Sequence, residues 1–199
     1  GQHVLRIDRE EAAQFKVKDE HRLAGCVKRQ AKGVSGIICA DYGKGVCCRP
    51  VLSAVARLSA RRRGSKENKK RPFLLVDPKG QNFAQYQQVD ILTPNLKEVV
   101  EATGEMKGVP DGEVGIDSRA RYLMKRVSVK ALLVTRGPEG MNLYEKRKSV
   151  IRKTHIPVTQ THEVYDVTGA GDTVTGVMGL AAFGGVPLVQ AAKLSNVAA

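Results

Sequence analysis

The stretch Asp166-Val167-Thr168-Gly169-Ala170-Gly171-Asp172-Thr173 is a glycine-rich turn that leads directly into an apolar run from Val174 to Phe183. Gly169 and Gly171 allow the backbone to approach a ligand closely. The apolar run predicts a buried helix, and the free N–H groups of its first turn would bind an anion such as phosphate. A carboxylate at Asp172, inside an anion site, suits a base that takes a proton from an alcohol during phosphate transfer. The stretch therefore predicts a kinase that acts on small molecules.

The polar residues of this turn also have simpler interpretations. An aspartate at the start of a helix, such as Asp172, is commonly an N-cap. Asp166 and Thr168 are residue types that bond their own backbone in turns. The Gly-Ala-Gly sequence before Asp172 favours the catalytic interpretation there, whereas for Asp166 and Thr168 turn chemistry and a ligand-binding role both stay open.

Short apolar runs alternate with helical patterns along the rest of the chain. We expect strands at 34–40, 73–76, 89–92 and 131–134, and helices at 50–60, 96–102 and 118–127. This alternation is typical of an α/β fold with a parallel sheet. Polar residues follow the predicted strands, namely Asp41, Asp77, Asn95 and Thr135. Because ligands of open α/β sheets bind at the carboxyl ends of the strands, we expect these residues and the Gly169 turn to line one edge.

Four segments in combination resemble one known family. The turn has the form D-x-T-G-A-G-D, and the other segments are Ala40-Asp41-Tyr42-Gly43-Lys44-Gly45, Val76-Asp77-Pro78-Lys79-Gly80 and Thr93-Pro94-Asn95-Leu96-Lys97-Glu98. Their types and order are similar to those of the ribokinase-like (PfkB) carbohydrate kinases. Within that family, the stretches at 163–173 and 2–8 most resemble the bacterial heptose 7-phosphate kinases, which are often fused to an adenylyltransferase.

The resemblance implies a fold and an activity for the chain. The implied fold is a three-layer α/β/α arrangement with a mostly parallel sheet, of which residues 1–199 form a single partial kinase domain without the N-terminal strands and lid. The implied reaction is ATP-dependent phosphorylation of the anomeric hydroxyl of D-glycero-D-manno-heptose 7-phosphate, towards ADP-heptose and the lipopolysaccharide core. Full-length relatives often form homodimers through the lid. Another sugar or nucleoside kinase of this fold, and a non-catalytic basic binding module, are the alternatives.

The resemblance also implies catalytic and metal-binding roles. Asp172 would be the base, and the transferred phosphoryl group would be stabilised by N–H groups of Gly169, Ala170 and Gly171. Asn95 and Glu98 would organise Mg²⁺ and its waters, since oxygen ligands suit a hard cation. Asp166 and Thr168 would bind a monovalent cation, potassium in many relatives. Read without the family, Asn95 and Glu98 form a helix cap followed by an exposed glutamate.

Two further groups of residues are implied to bind the substrates. The sugar phosphate would contact Asp41, Lys44, Asp77 and Lys79. Each lysine would meet a phosphate of either the sugar or ATP, and the sequence does not say which. The two aspartates would bond sugar hydroxyls or order the lysines. ATP would contact Asn95, Thr135, Gly137, Gly140 and Asn196. An ordinary β-turn is the alternative for the segment from Thr135 to Gly140.

Composition excludes several other classes of protein. The formal net charge is +13, and part of it comes from the basic run at 61–71. That run has no interleaved aromatic residues, which favours a solvated loop over a nucleic-acid contact. The four cysteines show no C-x-x-C spacing, so we expect reduced thiols of a cytoplasmic protein and no zinc site. The chain has no apolar run long enough to span a membrane and no P-loop motif.

Overall fold

The computed structural model describes residues 15–60, 71–158 and 169–199. Within these ranges the chain forms the helices α1 (Val17–Gln30), α2 (Arg49–Ala60), α3 (Leu96–Thr103), α4 (Gly112–Val127), α5 (Ala170–Phe183) and α6 (Leu188–Ala198). The strands in the same ranges are β1 (Gly36–Ala40), β2 (Phe73–Asp77), β3 (Ile91–Leu92), β4 (Ala131–Thr135), β5 (Met141–Arg147) and β6 (Val150–Ile156). All four predicted strands are present, and the predicted helices correspond to α2, α3, α4 and α5.

The strands of the described ranges form one mixed sheet in the order β1-β2-β3-β4-β5-β6. The first four strands are parallel, with Ile38 opposite Leu75 in the first pair. The β4–β5 and β5–β6 pairs are antiparallel, so the sheet ends in a hairpin that the sequence patterns did not predict. Because consecutive parallel strands are neighbours, the connecting helices all lie on the same face of the sheet.

Helices cover both faces of the sheet. Alternate side chains of a strand point to opposite faces, so Leu74 and Val76 of β2 pack with α2, α3 and α4, whereas Leu75 packs with α5 and α6. The two resulting cores are separate clusters of buried apolar residues. This is the three-layer α/β/α architecture expected from the sequence. Helix α1 packs outside α2, where Ala24, Val51 and Ala54 are buried together.

A buried carboxylate joins the amino ends of three parallel strands. Asp90 directly precedes β3 and is 1% exposed. It accepts hydrogen bonds from the Leu74 backbone N–H at 2.9 Å and from Arg71 Nη1 at 2.7 Å, and it also pairs with Lys130. Burial opposes ionisation of Asp90, but the bonds from Arg71 and Lys130 outweigh it and lower its pKa. Arg71 ends the predicted basic run, so its charge stabilises the fold; positions 61–70 lie outside the described residues.

Two expectations from composition bear on the fold. Cys26, Cys39, Cys47 and Cys48 are all free thiols. Among the helices of the described ranges, none has both the length and the apolar character needed to cross a membrane.

Candidate active site

The predicted polar residues lie along the carboxyl edge of the parallel strands. Asp41 follows β1, and its backbone N–H donates to the Asp77 carbonyl at the end of β2 over 2.9 Å. Asn95 follows β3 and forms an isolated parallel bridge with Thr135, the last residue of β4. The strand register therefore brings four residues separated by long stretches of sequence to one edge.

Helix α5 begins at this same edge. Its N-cap is Gly169, whose φ of 86° lies in the left-handed region that favours glycine. The helix lies close to the sheet, because a Cβ placed on Gly179 would be 2.6 Å from Ile38 Cδ1 in β1. Near its start, the hydroxyls of Thr175 and Thr93 are 3.1 Å apart, which links α5 to the end of β3. The glycine-rich turn thus opens onto the edge formed by the strand ends.

Asp172 lies in the first turn of α5 and is exposed. The N-cap position belongs to Gly169, and the start of α5 has no side-chain cap bond, so Asp172 is not the cap. Instead, its Oδ1 accepts a hydrogen bond of 2.7 Å from the Tyr42 hydroxyl, in the loop after β1. The carboxylate is therefore exposed at the carboxyl edge of the sheet, next to the loop that the sequence assigned to the substrate.

The ionised form of Asp77 is poorly stabilised at this edge. Its Oδ1 accepts a bond of 3.1 Å from the Thr93 hydroxyl, which lowers its pKa. Burial has the larger effect in the opposite direction, the negative charges of Glu98 and Asp172 add to it, and the positive charge of Lys79 opposes it. The net result is a pKa of about 7, so Asp77 binds and releases a proton near neutral pH.

Asn95 and Glu98 form a reciprocal capping box at the start of α3. The Glu98 N–H donates to Asn95 Oδ1 at 2.8 Å, and the Asn95 N–H donates to Glu98 Oε2 at 3.0 Å. Glu98 is only 7% exposed, unlike the exposed glutamate of the simpler interpretation. Its Oε1 accepts from Lys79 Nζ at 3.0 Å, a bond that raises the pKa of Lys79. The predicted magnesium residues are thus also a helix cap and one half of an ion pair.

A buried tyrosine, Tyr86, holds the loop after β1 in place through a hydrogen bond to Asp41. The Tyr86 hydroxyl donates to Asp41 Oδ2 at 2.6 Å and lies 3.2 Å from both the backbone N and O of Lys79. Burial, followed by the bond to Asp41, raises the pKa of Tyr86. The other oxygen of Asp41 accepts from the Gly43 N–H at 2.8 Å. Asp41, predicted to bind substrate, therefore also holds its own loop in place.

The turn between β4 and β5 carries Gly137 and Gly140, two of the five residues predicted to bind ATP. Gly137 has open space around its Cα, whereas a Cβ on Gly140 would lie 2.2 Å from the Ile156 carbonyl. Gly140 is thus needed for close packing of the hairpin, and Gly137 is the more accessible of the two. A cleft of about 630 Å³ adjoins the turn and is lined in part by Arg136, Pro138 and Val158.

Asn196 reaches the same part of the molecule from α6. Its Nδ2 donates to the Pro157 carbonyl at 2.9 Å. Pro157 also lines the cleft beside the β4–β5 turn. The structure therefore brings Asn196 close to the cleft, although it is distant from Thr135 in sequence.

The model of the pfkB family of carbohydrate kinases matches residues 2–199. The chain belongs to this family. Among curated pfkB relatives, the bifunctional protein HldE of Rhodospirillum rubrum is 39% identical over the whole chain, and that of Syntrophotalea carbinolica is 37% identical. The chain spans 37% and 38% of the lengths of these two relatives.

Solved structures of related kinases share the fold. Ribokinase of Arabidopsis thaliana, complexed with ribose and ATP, has a TM-score of 0.63 and 18% identity over 92% of this chain and 51% of its own. A mutant form of phosphofructokinase-2 from Escherichia coli has a TM-score of 0.68 and 15% identity over 92% of this chain and 55% of its own. The ribokinase-like fold expected from the sequence is thus confirmed for this member of the pfkB family.

The predicted site also includes Lys44, Asp166 and Thr168. Lys44 lies in the exposed loop after β1, and Asp166 and Thr168 lie outside the described residues, so the monovalent-cation site stays a prediction. In the described part of the chain, no group of three or more His, Cys, Asp or Glu side chains is arranged to hold a metal ion.

Sequence reasoning missed four residues of the site. Tyr42 and Thr93 stand inside the quoted family segments, where their polar groups were the available signal. Thr175 lies four residues after Gly171, a spacing that places both on the same face of α5. Tyr86 had no such signal, because only the fold brings its hydroxyl to Asp41.

Proposed function

We propose that this chain carries the catalytic edge of an ATP-dependent carbohydrate kinase that phosphorylates a sugar hydroxyl. The observation that carries the proposal is the position of Asp172, in the first turn of α5 and beside the carboxyl ends of the parallel strands. A base at that point is adjacent to helix N–H groups that favour phosphate. Membership of the pfkB carbohydrate kinase family supports the same reaction.

Each part of the edge would contribute to an in-line phosphoryl transfer. Asp172 would accept the proton of the sugar hydroxyl as its oxygen forms a bond to the γ-phosphorus of ATP. The bond from the γ-phosphorus to the bridging oxygen breaks, and ADP leaves with that electron pair. The N–H groups of Gly169, Ala170 and Gly171 would stabilise the charge on the transferred group. Catalysis would thus rest on positioning and electrostatics.

The donor set near α3 fits a magnesium ion that keeps its waters. Both oxygens of Glu98 already accept hydrogen bonds, but each carboxylate oxygen has a further lone pair for a water ligand. Asn95 and Glu98 would therefore hold Mg²⁺ through water, as a hard cation with a tightly held hydration shell allows. When bound, the ion would neutralise charge on the phosphates of ATP.

The substrate within the proposal is D-glycero-D-manno-heptose 7-phosphate, phosphorylated at the anomeric hydroxyl. This assignment rests on the resemblance of the motifs to heptose 7-phosphate kinases, and Lys44 and Lys79 supply cations for a second phosphate. The R. rubrum and S. carbinolica relatives are described as bifunctional, which supports an adenylyltransferase as a fused or separate partner. The cleft at the β4–β5 turn would receive the nucleotide, since its volume suits a small ligand.

The test is a phosphorylation assay with purified protein, Mg²⁺-ATP and a panel of acceptors: heptose 7-phosphate, ribose, fructose 6-phosphate and the nucleoside adenosine. Asp172→Asn should lower kcat by roughly 10²–10⁴-fold, because it removes the proton acceptor. ATP affinity, measured by calorimetry, should change little. Asp111→Asn is a matched control, because Asp111 is an exposed aspartate at the start of α4 that makes no cap bond.

Three outcomes are informative. Turnover of heptose 7-phosphate that is lost in Asp172→Asn and kept in Asp111→Asn supports the base and the substrate. Preferential turnover of another sugar of the panel keeps the kinase and rejects the heptose. Loss of ATP binding together with activity in Asp172→Asn would show that Asp172 supports the fold of the turn and is not the base.

A further inference from the structure

We infer that Tyr42 is a positioning residue for Asp172, which holds Oδ1 of the base and leaves Oδ2 to receive the proton of the acceptor hydroxyl. The inference rests on the proposed function, because it concerns the geometry of the same carboxylate. Its starting point is the 2.7 Å hydrogen bond from the Tyr42 hydroxyl to Asp172 Oδ1, between residues 130 positions apart in sequence. In the described part of the chain, Oδ2 accepts no hydrogen bond.

Hydrogen bonds on both sides of Tyr42 fix the loop that carries it. Asp41, directly before Tyr42, is held from below by Tyr86 through Oδ2. The residue directly after Tyr42, Gly43, donates its N–H to Oδ1 of the same aspartate. Gly43 has a φ of 71°, a left-handed conformation that closes this tight turn. Both neighbours of Tyr42 are thus fixed, so the direction of its side chain is set by the loop.

The exposure of Tyr42 argues against a role in core packing. Its side chain is 61% exposed, so the ring contributes little buried area to folding. The hydroxyl nevertheless donates to a charged acceptor, and such bonds are among the stronger ones in proteins. A tyrosine that is held by a fixed loop, exposed, and bonded to the proposed base suits the orientation of that base better than stabilisation of the fold.

Orientation of the carboxylate has a direct consequence for the reaction. A free aspartate at a helix start can rotate about χ2, which moves both oxygens relative to the bound sugar. With Oδ1 held, the remaining oxygen points in one direction, and the acceptor hydroxyl has one partner to approach. The contribution should appear in kcat rather than in substrate binding, because it affects only the proton-transfer geometry.

The test compares Tyr42→Phe with the matched control Tyr122→Phe, which alters an exposed tyrosine on α4. Tyr42→Phe should lower kcat roughly tenfold, in line with loss of a hydrogen bond to a charged group. The KM for ATP and the melting temperature should stay close to those of the wild type. In an Asp172→Asn background, Tyr42→Phe should cause no further loss, because the base it orients is already absent.

The inference is overturned if Tyr42→Phe lowers kcat by the same factor in the wild-type and Asp172→Asn backgrounds. An unchanged kcat in Tyr42→Phe would overturn it as well. A second measurement does not depend on activity. The bond to Asp172 raises the pKa of the Tyr42 phenol, so Asp172→Asn should lower that pKa in a titration followed by NMR or ultraviolet absorbance. An unchanged phenol pKa overturns the contact itself. A lowered phenol pKa without any sugar phosphorylation by the wild type would instead reject the proposed function.

Discussion

Two aspartates at opposite ends of neighbouring strands have opposite electrostatic surroundings. Asp90, at the amino edge, is bonded to Arg71 and Lys130, and its pKa is lowered. Burial raises the pKa of Asp77, at the carboxyl edge, to about 7; the nearby charges of Glu98 and Asp172 add to this effect, and the bond from the neutral Thr93 hydroxyl and the charge of Lys79 only partly oppose it. Asp90 is the more deeply buried of the two and still has the lower pKa, so the difference comes from their neighbours.

The comparison separates stability from function within one sheet. At the amino edge the buried charge is matched by cations, so that edge joins three strands. At the carboxyl edge negative charge is left poorly compensated, which is typical of sites that bind ligands or exchange protons. A cation bound at the carboxyl edge would relieve this repulsion.

The largest effect on stability should come from Asp90→Asn. It removes the charge that Arg71 and Lys130 share, and we expect a loss of about 3 kcal/mol in the free energy of unfolding. Both cations reach solvent, which keeps the loss at the low end of the range for a broken buried ion pair. Urea denaturation near neutral pH would measure it. A loss below about 0.5 kcal/mol would mean that the cluster does not stabilise the amino edge.

Asp77→Asn should have the opposite sign. The folded chain keeps the Asp77 proton up to about pH 7, whereas an unfolded aspartate releases it near 3.8. Stability from this group is therefore fully present below about pH 4 and lost as pH rises to about 7. The neutral variant should escape that loss and gain about 1–2 kcal/mol over the wild type near pH 8.

Denaturation across pH would check the sign for both aspartates. The gain of Asp77→Asn should vanish near pH 4, while the loss in Asp90→Asn should be present at neutral pH and shrink as acid protonates Asp90 in the wild type. If Asp77→Asn destabilises the protein at every pH, the carboxyl edge is not electrostatically strained and the comparison fails.

The smallest effects concern two lysines that are matched in exposure. Lys79 pairs with Glu98 at the carboxyl edge with its side chain 55% exposed, and Lys130 pairs with Asp90 at the amino edge with 56% exposed. Changing either to Gln should alter stability by less than about 1 kcal/mol. Only Lys79→Gln should raise the KM for a phosphorylated substrate, by roughly fivefold, because it removes a charge-assisted contact.

Steady-state kinetics on both lysine variants would sharpen the comparison. An equal rise in KM for Lys130→Gln would show that the effect comes from the net charge of the protein and not from the carboxyl edge. An unchanged KM in Lys79→Gln would remove this lysine from the substrate-binding set.

The carboxyl edge could be predicted from sequence because its residues follow recognisable strands. Each of Asp41, Asp77 and Thr135 stands directly after an apolar run, and parallel pairing then brings them together. The amino edge had no such pattern. Asp90 is 19 residues from Arg71 and 40 from Lys130, and only the finished sheet shows that their side chains converge.

The antiparallel hairpin was missed for a local reason. Its turn lacks the Asn-Gly or Asp-Gly pair that usually marks a tight hairpin. Lys148 takes the left-handed conformation instead, with a φ of 55°, although it is not a glycine. Strands β5 and β6 are also rich in charged residues, which weakened the apolar signal of a strand. Sequence patterns therefore predicted the parallel part of the sheet and not its antiparallel end.

The contact between Tyr42 and Asp172 joins the loop after β1 to a helix that follows β6 in the chain. During synthesis, strands β1 to β4 and their covering helices leave the ribosome well before α5 does. The site therefore cannot assemble until α5 has been translated and has docked on its face of the sheet. Tyr42 thus leaves the ribosome 130 residues before Asp172, and the contact between them forms only after α5 has covered its face of the sheet.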